Sequence, residues 1–317
     1  MMRELMPMKN ILKSNRLSST FITLAMLLLL SGCLGSDRLG EKGNPIKLLF
    51  TPATDAEVLG GDAPTFIKFL EQETGLYFKS GIPGSYISML DMFAANKADI
   101  AMMNAFAYLI AHRRYGVEAK FKAIRYGQSY YRGQIIANHK SGVKKVQDLN
   151  GKRFAFTDPT STTGHMFPLK LIKDHNITLA TEIFAKKHDV VVSMVYRGEV
   201  DAGATYYFPP SPEGKIRDAR IRVLEQLPDV AQRVKIVTIT EKIPNDPLVF
   251  RKGLPRQVII KFKNALFRFL SEKGGKHIFN SLYGVEGWSE ATDQDYDGLR
   301  EMVKKIDLNQ ELMLPKL

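Results

Sequence analysis

Four consecutive hydroxyl side chains, Thr160 to Thr163, stand before Gly164 in the segment DPTSTTGHMFP (158–168). One Ser or Thr is enough to cap a helix N-terminus. A helix N-terminus also carries about half a positive charge and several unpaired N–H groups, so it binds anions. Four hydroxyls exceed the needs of a cap, and Gly164 lets the backbone approach a ligand. The segment therefore predicts an oxyanion site, with helix capping alone as the alternative.

The elements around this segment alternate between strands and helices. Three apolar runs have the pattern of buried strands: 47–52, 100–103 and 153–157. Stretches with the helical spacing of apolar residues separate them, and a further stretch of this kind covers 188–198. This alternation predicts an α/β architecture with mostly parallel sheets.

Internal similarity indicates two related lobes. Segment 96–104 resembles 197–205, and segment 49–55 resembles 155–161. Both pairs are separated by about 100 residues, which is the size of a small α/β unit. The sequence therefore predicts two lobes of similar construction.

Two segments are predicted to carry strands from one lobe to the other, at 130–139 and within 233–250. The predicted lobes are 46–135 plus 243–317 for lobe 1 and 136–242 for lobe 2. A fold with two crossings binds its ligand in the cleft between the lobes, where strands end and helices begin. The hydroxyl segment is expected there, because it follows a predicted strand and opens a helix.

The N-terminal residues have the features of an export signal. Basic residues precede an apolar core at 21–30, which is too short to span a bilayer but suits a signal peptide. The core ends in LSGC, Leu30 to Cys33, which resembles the lipobox of bacterial lipoproteins. We expect a signal peptide over 1–32, and a lipidated Cys33 followed by a flexible tether over 33–45. The mature chain would be anchored to the cell membrane or outer membrane and face the periplasm or exterior.

Composition narrows the possible partners. The formal charge of +12 suits nucleic acid, anionic lipid or an anionic ligand. Export argues against nucleic acid, and the scattered basic residues are typical of a solvated face. A single cysteine excludes a disulfide framework, and the six histidines show no close pair at metal-ligand spacing. We therefore expect no metal and no cofactor. A monomeric chain is a separate expectation.

Two segments resemble the periplasmic phosphate/phosphite/phosphonate-binding proteins of ABC importers. FAFTDPTSTTGHMFP (154–168) is similar to the signature of that family, and IPNDPLVFRKGLP (243–255) to its return segment. Segments 130–156 and 187–203 are also similar, and the likeness runs over roughly 46–305. The resemblance implies the type II periplasmic-binding fold, with two α/β lobes, two crossovers and a ligand cleft between them. It also implies a phosphonate, phosphite or phosphate ligand, an ABC permease as partner and no enzymatic activity.

The resemblance assigns ligand-binding roles by position. Ser161 and Thr162 match hydroxyls that hold the oxyanion, and Thr163 stands where the family usually has Ser. His188 matches a histidine that contacts the oxyanion. Tyr86 matches an aromatic residue that reaches the cleft from lobe 1.

Further expected ligand-binding residues are Asp201 and Thr54. Asp201 matches an acidic residue, and in some members acidic groups near this position hold an aminoalkyl tail. Thr54 lies opposite Thr160 in the internal repeat and would supply a donor from lobe 1. The sequence departs from the family at Met103, which replaces a ligand-facing Tyr, and at 205–210. The identity of the ligand is therefore left open.

Three alternatives remain at the level of sequence. The first is a binder of sulfonate or another organic anion, and the second is a sensor that uses the binding fold to signal to a membrane partner. The third is a hydrolase that uses Ser161, His188 and Asp201 in chain order. It lacks the G-x-S-x-G turn that exposes a nucleophile in many hydrolases.

Overall fold

The computed structural model describes residues 38–52, 56–272 and 274–305. Cys33, Thr54 and the signal peptide lie outside the described residues, so their expected roles stay predictions. Within these three ranges, no helix is both long enough and apolar enough to cross a bilayer.

Strands and helices alternate along the described chain. The strands are β1 (Ile46–Leu49), β2 (Phe78–Gly81), β3 (Ile100–Met102), β4 (Glu118–Ile124), β5 (Tyr130–Asn138), β6 (Arg153–Phe156), β7 (Thr181–Phe184), β8 (Ala202–Tyr207), β9 (Val234–Ile239), β10 (Ile243–Pro244), β11 (Pro247–Phe250) and β12 (Gly287–Glu290). The α-helices are α1 (Ala56–Thr74), α2 (Tyr86–Ala94), α3 (Ala105–Tyr115), α4 (Phe167–Asp174), α5 (His188–Arg197), α6 (Val230–Arg233), α7 (Arg256–Ser271), α8 (Gly275–Tyr283) and α9 (Asp297–Lys305). A π-helical turn, Thr162–Met166, precedes α4, and 3₁₀ turns occupy Val146–Leu149, Ala219–Val223 and Asp293–Tyr296.

The strands form two sheets, one in each lobe. The first has the order β12-β4-β11-β3-β1-β2, and the second has the order β10-β5-β8-β6-β7 with β9 also paired to β5. β1 is parallel to β2 and β3, and β6 is parallel to β7 and β8. β4 and β5 pair antiparallel with their neighbours. The predicted α/β architecture with two lobes is confirmed. The prediction of mostly parallel sheets is wrong, because among the described strands four pairs are parallel and six are antiparallel.

The internal repeat corresponds to matching contacts in the two sheets. The Lys47 N–H donates to the Asp99 carboxylate at 2.8 Å, and the Asp99 N–H donates to the Lys47 carbonyl at 2.9 Å. The Arg153 N–H donates to Asp201 at 2.9 Å, and the Asp201 N–H donates to the Arg153 carbonyl at 3.0 Å. Asp99 and Asp201 therefore join equivalent strands, β3 to β1 and β8 to β6, where β3 and β8 begin.

The chain passes between the sheets at two short connections. It leaves the first sheet after β4, at 125–129, and returns at 245–246 between β10 and β11. All of β5 belongs to the second sheet because it pairs with β8 and β9 there. The predicted crossing strand 130–139 thus begins just after the crossing.

Hydrophobic side chains cover both faces of the first sheet. Aromatic rings from α1, α7 and α8 pack on one face, with Phe66 5.0 Å from Phe269 and 5.2 Å from Phe279 between ring centroids. Helices α2, α3 and α9 cover the other face. That second cluster also includes Met166 and Phe167 of lobe 2, so the lobes share a packed contact beside the cleft.

Candidate ligand-binding site

A cavity of about 630 Å³ lies between the two lobes. Four helical N-termini open onto it: those of α2, α3, α5 and the π-helical turn. Ser85, Asn104 and Ser161 cap the first, second and last of these, and α5 begins at His188. All four residues line the cavity. Because each N-terminus carries a partial positive charge and unpaired N–H groups, the cavity is arranged to attract an anion.

The first part of the hydroxyl segment builds its own turn. The Thr160 hydroxyl donates to an Asp158 carboxylate oxygen at 2.6 Å. The Ser161 hydroxyl accepts from the Gly164 N–H at 3.0 Å and caps the π-helical turn. Capping is therefore present, and Ser161 supplies it. Ser161 also lines the cavity.

The remaining two hydroxyls serve different purposes. Thr162 lies between the lobes, where its hydroxyl accepts from the Phe106 N–H at 3.0 Å and donates to Asn104 Oδ1 at 3.2 Å. This side chain of lobe 2 thus satisfies an N–H group in the first turn of α3 in lobe 1. Thr163 is 3% exposed and lines the cavity.

Three buried polar atoms that line the cavity lack a hydrogen bond within the described part of the chain. They are Asn104 Nδ2, Thr157 Oγ1 and His188 Nδ1. Leaving a buried polar atom unsatisfied costs about 1–3 kcal/mol. A bound ligand with several oxygen atoms would pair with them. Asn104 and Thr157 were not predicted, although each is a polar residue that closely follows the end of a buried strand.

His188 is held in its neutral form. Burial lowers its pKa to about 3, and the nearby Arg222 guanidinium contributes to that lowering. The imidazole packs edge-on against the Tyr206 ring at 5.0 Å between centroids. A neutral imidazole has one donor nitrogen and one acceptor nitrogen, so His188 contributes a hydrogen-bonding group to the cavity without a charge.

Tyr86 brings a second neutral group from lobe 1. Its hydroxyl lies 2.8 Å from Thr51 Oγ1, and the Asn104 side chain is also close to it. Burial raises the pKa of the Tyr86 phenol well above its ordinary value. The hydroxyl therefore keeps its proton and stays a potential donor.

Charged side chains around the cavity have a positive excess. The cationic residues that line it are Arg125, Lys186, Lys187, Arg217 and Arg222, and the acidic ones are Asp158, Asp189 and Asp246. Arg125 and Asp246 form a largely buried ion pair at 3.1 Å. Burial raises the pKa of Asp246, while Arg125 opposes that shift.

Asp201 does not line the cavity, contrary to its predicted ligand-binding role. It precedes β8, whereas the cavity lies at the other end of that strand, where Tyr206 is found. Arg153 holds the Asp201 carboxylate through its Nε at 3.1 Å and its Nη2 at 3.0 Å, and this contact lowers the pKa of Asp201. The hydrolase triad is therefore not assembled, because Asp201 is bound elsewhere and Ser161 caps a helical turn.

Gly164 is required for a close approach within lobe 2, because a Cβ there would lie 1.8 Å from Oγ1 of Thr157, the residue after strand β6. The expected ligand-facing position of residue 103 is corrected. Met103 is fully buried in the core and does not face the cavity. Within the ranges that the structure describes, no three His, Cys, Asp or Glu side chains are grouped to hold a metal.

A family model for the periplasmic phosphonate-binding proteins of ABC transporters matches residues 48–296. The chain belongs to this family. The phosphate-import protein PhnD of Mycolicibacterium smegmatis is 27% identical to this chain over 302 residues. The match covers 87% of this chain and 91% of the relative. Membership confirms the resemblance seen in the two signature segments.

Solved structures show that the phosphonate-binding family shares this fold. The binding component of a phosphonate transporter from Pseudomonas aeruginosa superposes with a TM-score of 0.71 at 21% identity, over 83% of this chain and 88% of that one. PhnD1 of Prochlorococcus marinus, in complex with methylphosphonate, gives 0.69 at 17% identity, over 83% of this chain and 98% of that one. The predicted type II periplasmic-binding fold is confirmed.

Proposed function

We propose that this protein is an exported solute-binding component of an ABC importer that captures a phosphonate-, phosphite- or phosphate-type oxyanion between its lobes and delivers it to a permease. One observation carries the proposal: three buried, unpaired polar atoms surround a cavity onto which four helical N-termini open. The named relatives support the ligand class, since one is a phosphate-import protein and another holds methylphosphonate.

The proposed contacts come from neutral donors. Thr163, Thr157 and His188 would contact the oxyanion from lobe 2, and Asn104 and Tyr86 would contact it from lobe 1. Hydrogen bonds to a charged group contribute about 1.5–3 kcal/mol each. Four or five of them contribute about 6–15 kcal/mol, which is similar in size to the association cost of about 4–15 kcal/mol, so each bond matters for affinity.

Ser161 and Thr162 would act mainly by holding the site in place. Ser161 fixes the helical turn whose N–H groups face the ligand, and Thr162 fixes the position of α3 against lobe 2. Ligand contacts from both lobes favour the closed arrangement over an open one.

The cellular arrangement is also part of the proposal. Cys33 would carry a lipid that anchors the mature chain, and 33–45 would tether the folded lobes to the membrane. A single anchored monomer is sufficient, because the cavity is built from one chain.

The test is calorimetry on the mature chain beginning at Leu34. Phosphate, phosphite, methylphosphonate, 2-aminoethylphosphonate, sulfate and taurine are titrated against the wild type, Thr163→Val and a control, Thr181→Val, on the exposed strand β7. We expect saturable binding of a phosphorus oxyanion, weakened about tenfold or more in Thr163→Val and unchanged in the control. Tighter binding of sulfate or taurine, or no binding of any phosphorus oxyanion, would contradict the proposal.

A further inference from the structure

The cavity is larger than an inorganic oxyanion requires. Its volume is about 630 Å³. A phosphorus oxyanion has about five non-hydrogen atoms, and at the roughly 30 Å³ taken by one water molecule it fills about a quarter of that space. Cavities of about 300–1,000 Å³ are typical of sites that enclose larger organic ligands. The residues that line the remaining volume indicate what kind of group fills it.

Three aromatic rings line the side of the cavity formed by β8 and the first crossing. We call Tyr126, Tyr206 and Phe208 the aromatic wall. The Phe208 ring lies 5.1 Å from Tyr126 and 6.2 Å from Tyr206 between centroids, both in edge-on contacts. The guanidinium of Arg217 lies 4.5 Å over the Tyr126 ring. Phe208 is 4% exposed and stacks on Tyr131 at 6.0 Å between centroids, whereas Tyr126 is 38% exposed, so Tyr126 is the accessible ring of the wall. A flat group can stack on such a ring, whereas a small hydrated anion gains nothing from it.

The backbone at Tyr126 is unusual for a tyrosine. Tyr126 and Gly127 have φ angles of 50° and 70°, and the flanking residues Arg125 and Gln128 exchange two backbone hydrogen bonds of 3.0 Å. This is a tight turn with both central residues in the left-handed region, where the first position strongly favours Asn, Asp or Gly. A bulky side chain there is a true outlier, and such exceptions cluster at functional sites. The turn keeps the Tyr126 ring between the lobes, against Phe208.

We propose that the aromatic wall is a subsite for a flat organic substituent on phosphorus. The ligand is then an aryl- or arylalkylphosphonate, or a phosphate ester with a planar group, in place of a bare oxyanion. Its phosphoryl group lies at the helical N-termini and its ring lies on Tyr126, which Phe208 supports edge-on. This inference rests on the proposed function.

The test compares phenylphosphonate with methylphosphonate by calorimetry, in the wild type and in three variants at Tyr126. Tyr126→Gly and Tyr126→Asn remove the ring and suit the left-handed turn, while Tyr126→Phe keeps the ring. Tyr77→Ala removes an exposed tyrosine outside the cavity and serves as the control. We expect the wild type to prefer phenylphosphonate by about tenfold. Tyr126→Gly and Tyr126→Asn should lose that preference, and Tyr126→Phe and the control should keep it.

The experiment distinguishes failure of the subsite from failure of the proposed function. If methylphosphonate binds as tightly as phenylphosphonate in the wild type, the substituent subsite is refuted and the proposed function stands. If Tyr126→Gly lowers the affinity for both phosphonates equally, the ring stabilises the arrangement of the lobes and does not contact a substituent. That result also refutes the subsite. If neither phosphonate nor phosphate binds at all, the proposed function fails and the subsite fails with it.

Discussion

Replacing Gly164 with alanine tests the close approach of Gly164 to Thr157, which lines the cavity. A Cβ at Gly164 would lie 1.8 Å from Thr157 Oγ1, 2.7 Å from its Cβ and 2.8 Å from its Cγ2. The two residues cannot simply separate, because the Thr157 N–H donates to the Gly164 carbonyl at 3.1 Å. Either strand β6 or the helical turn must move. In both cases Thr157 Oγ1 leaves its place at the cavity.

The expected loss of stability in Gly164→Ala follows from the cost of overpacking a core. We expect Gly164→Ala to lower the free energy of unfolding by about 2–3 kcal/mol, which corresponds to a melting temperature lower by about 5–10 °C. Combining it with Thr157→Ala should give partial relief, because the Cβ contact at 2.7 Å remains. Combining it with Thr157→Gly should remove the clash, and the double-mutant cycle measures the coupling.

The assay is urea unfolding of each variant, with calorimetry of the proposed ligand alongside. Gly61→Ala is the matched control, since Gly61 lies in α1 with nothing within 4 Å of its Cβ position. That change should raise stability by about 0.5–1 kcal/mol. The close-approach explanation is refuted if Gly164→Ala unfolds at the same urea midpoint as the wild type. It is also refuted if the double-mutant cycle shows no coupling between Gly164→Ala and Thr157→Gly.

Three further predictions concern Asp201, His188 and Thr162. Asp201→Asn should lower the free energy of unfolding by about 1 kcal/mol and leave ligand affinity unchanged in calorimetry, because the carboxylate binds Arg153 away from the cavity. Since Arg153 lowers the pKa of Asp201, this stabilisation is present at neutral pH and is lost as pH falls through that lowered pKa. The His188 imidazole has its ordinary pKa of 6.5 in the unfolded chain and a pKa of about 3 in the folded one, so acid should destabilise the wild type by up to about 2 kcal/mol at pH 5. Urea midpoints at pH 7.5 and 5 should therefore differ more for the wild type than for His188→Gln, and equal differences would contradict this. Thr162→Val removes the hydroxyl that binds Phe106, so the unliganded variant should show a larger radius of gyration in small-angle scattering; an unchanged radius would exclude a closing role.

Features encoded by local spacing were predictable from the sequence. Helical spacing predicts an apolar stripe on α7. The structure buries four of its members and leaves the fifth, Ile259, half-buried; the buried four are Val258, Phe262, Leu266 and Phe269. The spacing of Thr292 and Asp295 predicts a capping box before the last helix, and the Thr292 N–H donates to the Asp295 carboxylate at 2.8 Å just before α9. The start of α1 is not predictable in this way: a plausible N-cap at Asp62 and a first-turn proline at Pro64 predict a helix that begins near them, but α1 begins at Ala56.

The residues that line the cavity were partly predictable from the sequence. The structure brings Ser161, Thr162, Thr163, His188 and Tyr86 to its lining. How each is used was not predictable, because the partners are distant in sequence. Thr162 binds Phe106, which is 56 residues away, and Asp201 binds Arg153, which is 48 residues away. No spacing rule for helices or strands reports contacts of this range.

The Thr162 contact with Phe106 has a kinetic consequence. It joins the two lobes directly, so any separation of the lobes has to break it. Where solute exchange needs that separation, the exchange rate is set by how often the contact breaks, and the entry rate saturates as solute concentration rises. Once a solute is inside, the same contact helps to close the exit and lengthens its residence time. Such a protein suits a scarce nutrient, for which slow capture matters less than retention until a membrane partner is met.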